Sequence, residues 1–155
     1  MKGFTLIEIL IYSALVALMM SFAVMTTYSL MDNAARTQQK NALLENQEFV
    51  LAKLQWVLSG VTAINNPAAD GTPGAILSVD KVNSLQNPFV LDLQSGALRL
   101  SRAGGQPIAL TNSSITVSNL SFTNIVSGTN STIRATATLT NAVGSLPFQT
   151  TVTIK

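Results

Sequence analysis

The hydrophobic pattern divides the chain into three stretches. Phe4 to Met31 is almost entirely apolar or small, and Ile9 to Met31 is 23 residues without a charge, a proline or a glycine. At ~1.5 Å per residue a helix of that length exceeds the ~30 Å of a bilayer core. From Asp32 to Val61 the apolar residues become periodic. Leu43, Val50, Val57 and Leu44, Leu51, Leu58 recur at seven-residue spacing, with Leu54 and Val61 on the same arc. That is the stripe of a helix packed on one face, and Gly60 with Asn65-Asn66-Pro67 closes it. With the apolar stretch, the helix would run roughly 80–85 Å.

The third stretch reads as strands. Ala63–Gly74 concentrates Asn, Pro, Asp and Gly and is expected as a loop. Ala75–Val79 is a short strand. Phe89, Leu91 and Leu93 alternate with polar or smaller neighbours, and Ser95-Gly96 makes a two-residue turn into Leu98 and Leu100. Gly104-Gly105 opens a further turn toward Ile108 and Leu110. The parity of Ile115 and Val117 differs from that of Leu120 and Phe122, which predicts a bulge near Asn119. Ile133 to Leu139 alternates with Arg and Thr, and Leu146, Phe148, Val152 and Ile154 share one face. The expectation is an α+β fold. A long N-terminal helix, membrane half plus amphipathic half, packs on the apolar face of an antiparallel sheet.

Composition narrows the function. Charged residues are 10% of the chain, with a formal net charge of +2. The cations Arg36, Lys40, Lys53, Lys81, Arg99, Arg102, Arg134 and Lys155 form no stripe along the sequence, so no nucleic-acid footprint is visible there. Histidine and cysteine are absent, which removes the usual general base, zinc ligands and pH switch and leaves no disulfide to read. The acids have no recognisable metal spacing, and there is no phosphate-cradling glycine loop. Asp70-Gly71 and Asp80 could hold calcium but read first as turn residues. Asn112, Asn119 and Asn130 begin glycosylation-type triplets that a Ser/Thr/Asn-rich region produces by chance. No enzyme and no cofactor is expected.

Glu8 stands at the start of the apolar run. A carboxylate at mid-bilayer costs roughly 2.5–3.5 kcal/mol on insertion scales, but in a first helical turn the dipole favours it. A secretory signal peptide, with Lys2 as its basic region and Ser21-Phe22-Ala23 as its cleavage site, would discard Glu8. A plain membrane anchor would leave it without a partner. If the chain were cut before Phe4, the new amine could pair with the Glu8 of a neighbouring, axially shifted copy, setting register.

Gly3-Phe4-Thr5-Leu6-Ile7-Glu8 resembles the prepilin processing motif of type IV pilins and type II secretion pseudopilins. The resemblance implies removal of residues 1–3 by a membrane peptidase, which cuts between Gly3 and Phe4 and N-methylates Phe4; Glu8 becomes the fifth mature residue. Gly3 leaves room for the peptidase at the backbone, and Lys2 fits a cytoplasmic N-terminus. Residues 4–31 would be the transmembrane and assembly half, held by membrane lipid before assembly. Residues 32–155 would be the head, with helix 32–61 and a sheet over about 75–155. The head would lie outside the cytoplasm on an inner-membrane protein that later joins a pilus or pseudopilus.

Implied partners are other pilin subunits, the prepilin peptidase and the inner-membrane assembly platform. A Leu-x-Phe strand followed by two long Thr-rich strands is similar to W/J-type minor pilins and minor pseudopilins. The chain lacks the helix breakers and cysteine pair common in major pilins; Ala17 and Met25 stand in the equivalent helical stretch. The alternatives are a minor pseudopilin of a type II secretion system and a membrane-anchored or secreted binding domain. A DNA-binding pilin would need cations and aromatics clustered together. Phe49 and Trp56 lie seven apart, opposite the main stripe. Either the loop Thr62–Pro73 folds over them, or they form a subunit contact.

Overall fold

The computed structural model describes residues 5–128 and 130–154. It consists of one helix, α1 (Leu6–Leu58), followed by eight strands. Two compact units divide at Gln38/Gln39. In the first, the helical residues are solvent-exposed apart from the half-buried Glu8. This part of α1 is long and apolar enough to cross a membrane once.

The second unit holds the rest of α1 and the strands. Leu43, Val50, Leu54, Val57 and Leu58 are the buried residues of the helix. At about 100° per residue a seven-residue repeat drifts by about 20° per step. Leu44 therefore sits about 100° from Leu43 and is 49% exposed, Leu51 is half-buried, and Leu58 has rotated into the core. The expected stripe holds, with Leu44 as its exception.

The helix ends earlier than the sequence suggests. Helix 32–61 stops at Leu58, because Gly60 adopts φ 68° and the Ser59 amide turns back to the Trp56 carbonyl at 3.3 Å. The expected loop 63–74 begins instead as β1 (Val61–Asn66), an edge strand paired with β2 (Leu77–Lys81) through two register irregularities. Strand 75–79 is thus shifted two residues on, and the sheet starts at residue 61 rather than about 75. Backbone pairing makes β1; its side chains show no alternation that a pattern could reveal.

β3 (Phe89–Gln94) and β4 (Ala97–Arg102) form the predicted hairpin, and β5 (Ile108–Ala109) completes an antiparallel sheet ordered β1-β2-β3-β4-β5. β6 (Thr116–Ser127), β7 (Asn130–Thr140) and β8 (Ser145–Ile154) make a second antiparallel sheet. Between Ser118 and Ser121 the β6/β7 register shifts, and Asn119 takes φ 53°. This bulge lets Val117, Leu120 and Phe122 all face the core despite their mixed parity. One hydrophobic core joins α1 to both sheets: Leu54, Leu77, Leu91, Leu98, Phe122, Ile133 and Leu139 are fully buried in it.

The sheets touch at two backbone seams. Gly74 and Phe122 exchange hydrogen bonds of 2.8 Å each way, and the Val117 amide donates to the Gly96 carbonyl at 2.7 Å. Gly96 has φ 76°, and a Cβ there would lie 2.8 Å from Thr116 Cγ2. Gly96→Ala is therefore expected to destabilise the head by about 1–3 kcal/mol, from left-handed strain and the seam contact together. A urea titration of the full chain in detergent measures it; an unchanged midpoint would rule out both costs. The helix is also pinned polar to polar. Asn46 Oδ1 accepts from the Asn112 amide at 3.2 Å, and Asn141 Nδ2 donates to the Gln39 carbonyl at 2.9 Å.

Candidate functional sites along the helix

The helix starts on a local signal. Thr5 precedes its first residue, and Glu8 stands three residues later, the arrangement of a capping box. Glu8 Oε2 lies 3.5 Å from the Thr5 amide, and the Glu8 and Ile9 amides donate to the Thr5 carbonyl at 3.0 and 3.3 Å. The bond at Oε2 is long. Among the described residues Glu8 has no other hydrogen-bond partner and no cation beside it. Its carboxylate is placed by the positive end of the helix dipole and retains capacity for a stronger donor. Gly3 and Phe4 lie outside the described residues.

The apolar segment satisfies most of its polar side chains internally. Ser13 donates to the Leu10 carbonyl, Ser21 to Ala17, Thr26 to Phe22 and Thr27 to Ala23, all at 2.8–2.9 Å. Hydroxyls bonded back onto the helix remove much of the desolvation cost of placing them in hydrocarbon. The first residues beyond this segment carry an exposed Arg36–Asp32 ion pair at 3.0 Å.

Phe49 and Trp56 remain 46% and 42% exposed. The segment 61–66 is a strand, β1, rather than part of a loop. The ring contacts of Trp56 involve α1, β2, β3 and β4. Phe89 meets it edge-on at 5.6 Å between centroids, and the cations of Lys81, Arg102 and Lys53 lie 4.3, 5.2 and 5.5 Å from its ring centroid. Lys81 Nζ also donates to the Trp56 carbonyl at 2.6 Å, so a cation from β2 caps a helix whose last turn has none of its own. Burial, and then the charge of Arg102, depress the pKa of Lys81 below the ordinary lysine value.

No family model, curated protein or solved structure matches this chain. The site residues therefore stand on sequence and geometry. Among the described residues the Glu8 side chain is brought together with Thr5 alone, far along the chain from the Phe49/Trp56 patch. Lys53, Lys81 and Arg102 were missed in the sequence because they are separated by 28 and 21 positions and converge only when β2 and β4 pack beside α1.

The remaining candidates are accounted for locally. Asp70 Oδ1 accepts from the Thr72 amide at 2.8 Å, a bond that holds the Asp70 carboxyl below its usual range. Asp80 Oδ2 accepts from Asn65 Nδ2 at 3.1 Å. Among the described residues no group of three acids could hold a metal ion. Asn119 occupies the β6 bulge, and Asn130 pairs with Ser127 across the β6–β7 hairpin.

Proposed function

We propose that this chain is a minor structural subunit of a type IV pilus or pilus-like filament, matured by cleavage between Gly3 and Phe4 and N-methylation of Phe4. The observation that carries the reading is Glu8. It is the only charge between Phe4 and Met31, five residues after the glycine, at the head of an apolar helical segment. A carboxylate retained there calls for a cation, and among the described residues none is paired with it.

A cut before Phe4 creates that cation. In one subunit the Glu8 carboxylate is met only by the long contact from the Thr5 amide among the described residues. A neighbour displaced along the filament axis can place its amine there. In an apolar bundle both charges are desolvated, so an unpaired one is expensive and the pair fixes axial register. The rest of the apolar surface exchanges lipid for neighbouring helices. Packing and the Glu8 pair then drive assembly, rather than transfer out of water. The partners are other pilin subunits, the prepilin peptidase and the inner-membrane assembly platform. The head, built on Gln39–Ile154, would stand outside the cytoplasm.

Intact mass and N-terminal sequencing of the membrane-extracted protein from its native host test this. The expected product begins at N-methylated Phe4. A start at Met1 would mark a simple anchor, and a start at Val24 a secreted domain; either overturns the assembly reading.

A further inference from the structure

Three cations from three elements crowd one indole. Lys53 of α1, Lys81 of β2 and Arg102 at the end of β4 all lie within 5.5 Å of the Trp56 ring centroid. No two of them can be farther apart than the sum of their distances to that ring. The ion pairs among the described residues, Arg36–Asp32 and Arg99–Asp92, involve none of the three. Arg102 finds only Gln86 Oε1 at 3.5 Å, and its Nε is buried without a partner. The burial and repulsion that depress the Lys81 pKa are the cost of this crowding. Among the described residues the fold holds these like charges together without an ion pair to any acid.

The aromatic rings are arranged with the cations. Phe49, Lys53 and Trp56 follow one another at spacings of four and three residues on α1, and Lys53 Nζ is 5.5 Å from both ring centroids. The order is ring, cation, ring, with further cations beside the second ring. We propose that this surface binds single-stranded nucleic acid, with Lys53, Lys81 and Arg102 on its phosphates and the exposed parts of Phe49 and Trp56 against its bases. A polymer that alternates anions with flat rings matches this alternation, and base–aromatic contact tolerates any sequence. An acidic peptide would satisfy the cations but leave the rings without counterparts. A duplex would present phosphates with its base faces already stacked.

Trp56 is the only tryptophan in the chain, so its fluorescence reports on this surface alone. The full chain in nonionic detergent is titrated with oligothymidylate, with polyglutamate and a duplex of equal charge as comparisons. Saturable quenching by the single strand is expected, with log K falling against log salt at a slope of about −2 for three neutralised phosphates. Lys53→Gln should flatten that slope by about 0.7. Phe49→Ala should weaken binding at least about fivefold with the slope unchanged. Both positions lie on the outer side of α1, and circular dichroism confirms that the variants fold. Absence of quenching, equal quenching by polyglutamate or duplex, or unchanged binding in both variants would overturn the proposal. The test does not depend on filament assembly, because it uses the unassembled chain.

Discussion

On the proposed filament reading, Glu8→Ala is expected to cut incorporation into filaments at least about a hundredfold while the head still folds and the leader is still removed. Two costs separate cleanly in size. Losing the long Glu8–Thr5 contact and the charge at the dipole frays a helix start, worth about 0.3–1 kcal/mol. That is small against a helix of 53 residues. Leaving a neighbour's amine unpaired in an apolar bundle costs about 3–5 kcal/mol. At about 1.4 kcal/mol per factor of ten, the second effect dominates assembly. Glu8→Gln keeps the volume and an acceptor but not the charge, and should fail to a similar degree. The readout is the fraction of processed subunit in sheared filaments relative to membranes. Normal filaments from either variant would remove Glu8 from the mechanism.

Phe122→Ala is expected to be the most damaging single truncation in the head. Phe122 is fully buried and heads the largest such side chains. It faces the common core from β6, just after the bulge at Asn119, and its backbone forms the seam with Gly74. Removing the ring costs about 3–5 kcal/mol, from lost transfer energy and the cavity left behind. Domains of this size hold only about 5–15 kcal/mol in total. The melting temperature of the head should therefore fall by more than about 10 °C. Ile125→Ala, three residues further along β6 at a 38% exposed side chain, is the control and should change stability by less than about 1 kcal/mol. Thermal melts of the full chain in detergent compare the two. Equal, small shifts would mean that the core tolerates the cavity or that β6 does not anchor it.

What could be read in the sequence was set by local regularity. The uncharged run Ile9–Met31 needs no tertiary context to be an apolar helix, since length, composition and the lack of Pro and Gly suffice. The Ser95-Gly96 hairpin, the bulge at Asn119 and the buried faces of β7 and β8 follow from period-two alternation and its one change of parity. The Val50–Leu54–Val57 stripe was legible for the same reason, at helical period.

Tertiary structure decided what has no period. β1 is a strand because the edge of β2 offers hydrogen bonds to it, not because Thr62-Ala63-Ile64-Asn65 alternates. The helix stops at Leu58 because a positive φ at Gly60 and the Lys81 cation from β2 meet its last carbonyls. Two sheets rather than one arise where the chain passes from β5 to β6, which stays tied to the first sheet by backbone bonds at Gly71–Asn124, Gly74–Phe122 and Gly96–Val117. The surroundings of Trp56 were the least predictable, since Lys53, Lys81 and Arg102 are scattered in sequence and become neighbours only when the core packs. Period and composition are properties of a segment, so the sequence by itself determined them. The charge environment of a ring depends on which distant segments pack against it, and only the fold could determine that.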